Sequence, residues 1–100
     1  MIQIVWEFHV REEHRSDFER HYAAGGTWAE FFQRDAAYKG TQLLRDITDP
    51  GRYVTIDTWE DEDSYGAFRA VNRQAYTALD QEMEALTESE NRLGVFSPIG

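Results

Sequence analysis

Over residues 2–10 every even position is large and apolar (Ile2, Ile4, Trp6, Phe8, Val10), whereas the odd positions include Gln3, Glu7 and His9. A period of two is the signature of a strand with one buried face, and it obliges the rest of the chain to cover that face. Residues 38–47 and 52–60 are also strand-like, and Thr48-Asp49-Pro50-Gly51 between them carries turn chemistry. Pro presets φ and Gly permits positive φ, so the two segments are expected to pair as a hairpin.

The remaining segments read as helices. Phe18 and Tyr22 stand four apart among charged residues, as on one face of a surface helix over residues 11–22, and Gly25-Gly26 breaks it. Thr27 followed three residues later by Glu30 matches a capping box. Trp28, Phe31 and Phe32 then fall on the buried face of the helix it opens. Beyond Trp59, the run Glu60-Asp61-Glu62-Asp63 suits a helix N-terminus, with Asp61 or Asp63 as the cap. The stripe Tyr65, Phe68, Tyr76, Leu79, Met83, Leu86, with Asn72 and Ala75 in the intervening face, predicts a helix of about six turns that Gly66 and Asn72 weaken locally. Thr87 with Glu90 repeats the capping pattern. It predicts a short helical turn before a last strand around residues 93–96, ended by Ser97-Pro98.

Strand, helix, strand, strand, helix, strand is the order of an α+β, ferredoxin-like βαββαβ fold, an antiparallel sheet with its helices on one face. The 100 residues, with no internal repeat or linker, are expected to form one domain spanning 1–100. A chain this short buries only about two-thirds of the surface its unfolded form exposes. On the third strand Val54 and Ile56 alternate with Tyr53, Thr55, Asp57 and Trp59. Apolar residues on both sides predict that the second sheet face is covered too, most simply by another copy of the chain.

Composition removes whole classes of function. Acids outnumber bases 19 to 10, for a formal net charge of -9. Nucleic acid, which needs clustered Lys and Arg, is therefore an unsuitable partner, and so is an anionic membrane surface. The absence of cysteine excludes disulfides, thiolate zinc sites, cysteine nucleophiles and iron–sulfur clusters. No apolar run approaches the roughly 18 residues of a membrane span, and residues 1–10 lack a basic signal-peptide start. A cytoplasmic location is expected.

The run Gly40-Thr41-Gln42-Leu43-Leu44-Arg45-Asp46, the hairpin, and then Tyr53-Val54-Thr55-Ile56-Asp57-Thr58-Trp59 followed by Tyr65 and Phe68 resembles the antibiotic biosynthesis monooxygenase family of dimeric α/β barrels. The likeness runs from the first strand through Phe96. It implies a homodimer whose two sheets close a barrel, with a pocket in each subunit between sheet and helices. Some members of that family oxidise phenolic or quinol-like polyketides with molecular oxygen and no cofactor, and another branch degrades haem. The haem branch uses an Asn on the first strand, a Trp ending the third and a His on the second helix. Here Trp59 matches that Trp, but Trp6 stands at the Asn position and no His follows His21. The iron ligand is missing, so the resemblance implies no haem.

Candidate site residues follow, each with a plainer alternative. Trp59 and Tyr65 could sandwich a flat ligand between sheet and helix, or simply pack the core. Asp57, two residues earlier on the same face, could abstract a phenolic proton if burial raises its pKa, or could pair with Arg45 or Arg52. His21, near Phe18 and Tyr22, is the second candidate base. Trp6, Phe8, Trp28, Phe31 and Phe32 could wall a pocket or form ordinary core. His14, Asp17 and His21 recur at i, i+3 and i+7 on one face, but the set lacks the further ligands a metal site uses, and no metal is expected. Arg69 and Arg73 could meet an anionic product or neighbouring acids. The expected function is a cofactor-independent monooxygenase that acts on a small phenol- or quinol-like aromatic with molecular oxygen. The competing expectation is a non-catalytic homodimeric module that binds a hydrophobic metabolite or serves assembly.

Overall fold

A computed structural model describes all 100 residues. Strand β1 (Ile2–His9) leads through a 3-10 turn (Glu12–His14) into helices α1 (Arg15–Tyr22) and α2 (Thr27–Phe32). The hairpin β2 (Tyr38–Arg45) and β3 (Arg52–Trp59) follows, then helices α3 (Glu62–Val71) and α4 (Arg73–Met83), a second 3-10 turn (Glu84–Leu86) and strand β4 (Ser89–Phe96). The four strands pair antiparallel in the order β2-β3-β1-β4, the ferredoxin-like arrangement expected of the element order. No helix is long and apolar enough to cross a membrane.

Register explains which residues face the helices. Ile2, Ile4, Trp6 and Phe8 lie opposite Trp59, Asp57, Thr55 and Tyr53, so the period-two faces of β1 and β3 coincide. Ile4, Phe8, Tyr53 and Trp59 are all buried and join Phe18, Tyr22, Trp28, Phe31, Phe32 and Phe68 in one largely aromatic core. The other sheet face carries the Arg52 guanidinium between Glu7 (2.6 Å) and Asp46 (3.2 Å), beside Val54 and Ile56.

Several local expectations need correction. The Thr27–Glu30 capping box does not form: Gly26 precedes the helix with no side-chain cap, and the Thr27 hydroxyl lies 2.7 Å from His21 Nδ1 instead. The reason is close packing, since a Cβ on Gly26 would sit 2.6 Å from the Arg20 carbonyl oxygen, and α2 starts hard against the end of α1. The six-turn helix is two helices. At Asn72 (φ -106°, ψ 25°) the backbone leaves the helical region, and the Asn72 side chain donates to the Phe68 carbonyl at 3.0 Å, the competition with the helix ladder that Asn side chains offer. Asp61 caps α3 as expected, accepting from the Ser64 amide at 2.7 Å. The last strand begins at Ser89, not near 93, and Thr87 and Glu90 form no capping box; Thr87 instead ends the preceding turn, its amide donating to the Glu84 carbonyl. The helical turn comes earlier, over Glu84–Leu86. The polar stretch Ser89-Glu90-Asn91-Arg92 hides its strand character because β4 is a sheet edge, where polar residues are usual.

Candidate active site

Between the sheet and the helices lies a cavity of about 140 Å³. Its floor is the sheet: Trp6 and Phe8 from β1, Thr41 from β2, Thr55 and Asp57 from β3. Its roof is helical, with Tyr22 from α1, Trp28 and Phe32 from α2, Arg69 from α3 and Tyr76 and Asp80 from α4, while Glu90 of β4 closes one side. The rings pack against one another; Trp28 lies 5.2 Å from Tyr76, 5.7 Å from Phe32 and 6.2 Å from Tyr22 by centroid. A space of roughly 150 Å³ holds a benzene-sized molecule, so the cavity has the size of one aromatic ring.

Six of the twelve lining residues are polar or charged. Asp57 is half-buried on the cavity floor, and desolvation raises its carboxyl to about 6, with a hydrogen bond from Thr41 pulling the other way. Thr41 Oγ1 donates to Asp57 Oδ1 at 2.5 Å and lies 2.5 Å from the Tyr38 hydroxyl. Neither Arg45 nor Arg52 neutralises it: Arg45 meets Glu19, and Arg52 meets Glu7 and Asp46. Burial drives the phenols of Tyr22 and Tyr76 upward, so at neutral pH they are donors and not bases. The Trp28 indole lies close enough to Tyr22 to counter part of that shift, without reaching hydrogen-bond geometry. Burial, and then the charges of Asp80 and Glu84, raise Glu90. The Arg69 guanidinium sits 4.2 Å from the Tyr76 ring centroid, a cation–π contact.

The candidate residues therefore separate. Trp6, Phe8, Trp28, Phe32, Asp57 and Arg69 meet at the cavity. Trp59 does not line it. Its side chain is fully buried between Phe32, Tyr38, Tyr65 and Phe68, at centroid distances of 5.2 to 5.6 Å, and its Nε1 has no partner. Tyr65 packs edge-on to Trp59 and otherwise faces a surface groove with Arg69, Arg73 and Arg92. Phe31 borders a separate groove between α2 and α4. His21 lies outside the cavity lining, with Nδ1 engaged by Thr27. His14, Asp17 and His21 do not converge; no group of three ligating side chains gathers anywhere in the chain, and Asp17 pairs with Arg20 at 3.1 Å. The cavity residues that sequence reasoning did not single out are Thr41, Thr55, Tyr22, Tyr76, Asp80 and Glu90. Thr41 was within reach, because hairpin register places it opposite Asp57.

A ferredoxin-like sheet whose helix-covered face holds the desolvated carboxylate of Asp57 beside a wall of aromatic rings is the architecture of a protein with a small-molecule site. The chain belongs to the antibiotic biosynthesis monooxygenase family, whose sequence model matches residues 1–78. The match stops inside α4, so Asp80 and Glu90 lie beyond it. Among solved structures, SnoaB, a cofactor-independent oxygenase from Streptomyces nogalater, is 25% identical over 99% of this chain and 93% of its own, with a TM-score of 0.71. Two structures assigned to the same family share the fold. That from Bordetella bronchiseptica has 20% identity and a TM-score of 0.75, covering 98% of this chain and 96% of its own. That from Deinococcus radiodurans has 11% identity and a TM-score of 0.77, covering 100% and 94%. No curated protein matches the chain.

Proposed function

We propose that this protein is a cofactor-independent monooxygenase that oxidises a small phenol- or quinol-like aromatic with molecular oxygen, and that Asp57 is its base. The observation that carries the reading is Asp57 itself, a carboxylate desolvated to a pKa of about 6 on the wall of an aromatic cavity. A base with a pKa just below neutral is ionised at working pH and still basic enough to draw a proton from an acidified phenol. The likeness to SnoaB supports the same chemistry.

In this mechanism the ring enters between Trp6, Trp28 and Phe32, and Asp57 takes its hydroxyl proton. The phenolate, held away from water, gives one electron to oxygen, and the radical pair combines to a carbon-bound peroxide. Asp57 returns the proton to the outer peroxide oxygen; the ring carbon then loses its own proton as the O–O bond breaks, which leaves a carbonyl and expels hydroxide, and that second proton converts the hydroxide to water, so that phenol and oxygen become quinone and water. Positioning and exclusion of water supply much of the advantage in such a site. The active form is a homodimer joined through the open sheet face, where Leu44, Leu93 and Phe96 are 44 to 50% exposed. Sedimentation should give twice the monomer mass.

The test is oxygen uptake with a panel of one- and two-ring phenols and quinols. Asp57→Asn should lower kcat by a factor on the order of 100 or more, the usual contribution of a general base. Binding of the aromatics without uptake would replace this reading with a non-catalytic binding module. Unchanged uptake in Asp57→Asn would remove Asp57 as the base.

A further inference from the structure

We propose that Thr41 and Tyr38 are positioning residues of the Asp57 base: their hydroxyls, in series, pin one carboxylate oxygen to strand β2 and leave the other to meet the ligand. The proposal rests on the reading of Asp57 as base, but its geometry stands apart from any substrate. Asp57 Oδ1 accepts from Thr41 at 2.5 Å, and Thr41 Oγ1 is 2.5 Å from the Tyr38 hydroxyl. Asp57 Oδ2 takes no hydrogen bond from the protein.

The direction of the chain follows from charge. An ionised carboxylate only accepts, so Thr41 commits its single proton to Asp57 and Tyr38 must donate to Thr41. Hydrogen bonds in series polarise one another, so removing Tyr38 should weaken the bond that Thr41 makes.

The backbone is shaped to allow this. In a regular strand residues three apart point to opposite faces, and Tyr38 could not reach Thr41. Here Tyr38 pairs with Trp59 but Gly40 pairs with Thr58, which leaves Lys39 as the extra residue of a β-bulge. The bulge turns Tyr38 and Thr41 to the same face. Gly40, at φ 137°, adopts a conformation that residues with a Cβ rarely take. The other ionisable groups around the cavity are Arg69 from α3, Tyr76 and Asp80 from α4, Glu90 from β4 and Tyr22 from α1. None of them donates to Asp57, so Thr41 is the group that opposes desolvation there.

The test is a carboxyl-carbon NMR titration of the unliganded protein, run beside oxygen-uptake pH profiles. Thr41→Val should raise the Asp57 midpoint by about one pH unit, the scale of a lost hydrogen bond to a carboxylate. Tyr38→Phe should move it less, in the same direction, and Thr41→Ser should restore it. The acid limb of kcat should follow, so that Thr41→Val loses activity ~threefold at pH 6.5 and little at pH 8. A midpoint unmoved by Thr41→Val overturns the proposal, as does Thr41→Ser displaced as far as Thr41→Val. A shifted midpoint in a protein that consumes no oxygen with any aromatic would keep the pinning and remove the monooxygenase reading. An unmoved midpoint with uptake lost in Asp57→Asn would do the reverse.

Discussion

Trp59 and Asp57 lie two residues apart on the same face of β3, and their surroundings are opposite. Trp59 has lost all contact with solvent, and four aromatic rings surround it. Asp57 faces an unfilled space lined by a different set of rings. The two share Phe32, which packs 5.6 Å from Trp59 and also walls the cavity. One end of the sheet–helix interface is thus solid and the other hollow. Helices α3 and α4 part at Asn72 near this boundary: α3 sends Phe68 onto Trp59, and α4 sends Tyr76 and Asp80 over the cavity. The solid end holds the fold, and the hollow end is where a ligand and a titrating group can meet.

The largest expected effect is at the solid end. Replacing a fully buried Trp by Ala typically costs about 3–5 kcal/mol, and Trp59→Ala should fall in that range in urea denaturation. A loss below about 1 kcal/mol would mean that the surrounding rings collapse into the space, and the distinction between the two ends would fail.

Asp57→Asn should act with the opposite sign. A carboxyl raised from 3.8 to about 6 in the folded chain binds its proton more tightly there than in the unfolded chain. Stability therefore falls as pH rises from about 4 to about 6, and the full penalty is present above that. The difference corresponds to on the order of 2–3 kcal/mol. Asp57→Asn keeps an oxygen for Thr41 and removes the charge, so it should be more stable than the wild type by about that amount at pH 7.5. The two should converge below about pH 4. Equal stability at pH 7.5 would show that the carboxylate is better solvated than the geometry indicates.

The contrast between Trp59 and Asp57 also marks where the sequence is legible. The alternation in residues 2–10 and 52–60 correctly turns Ile4, Phe8, Tyr53, Asp57 and Trp59 to the helix side, and the element order gives the ferredoxin-like sheet. Periodicity tells which way a side chain points but not whether the volume it points into is filled. For that reason Trp59 and Tyr65 read as pocket residues, whereas tertiary packing closes around Trp59 and leaves Tyr65 between it and a surface groove. Tyr22 and Tyr76 reach the cavity from helices whose relative placement depends on the tight turn at Gly26 and the break at Asn72. The bulge at Lys39 leaves almost no trace in the pattern except Gly40. Glu90 was hidden because an edge strand tolerates a polar sequence.

The smallest expected effect concerns His21, the other basic group considered for the chemistry. Its Nδ1 lies 2.7 Å from the Thr27 hydroxyl, a part-buried contact that ties the end of α1 to the start of α2. Neither residue lines the cavity. Loss of one side-chain hydrogen bond of this kind costs roughly 1 kcal/mol, so His21→Ala should lower stability by about that much. Its kcat for oxygen uptake should stay within about twofold of wild type, because general-base catalysis would show as a loss of 100-fold or more. The two readouts together decide between the candidate bases. A catalytic loss in His21→Ala, with stability unchanged, would move the proton transfer from the floor of the cavity to the α1–α2 corner.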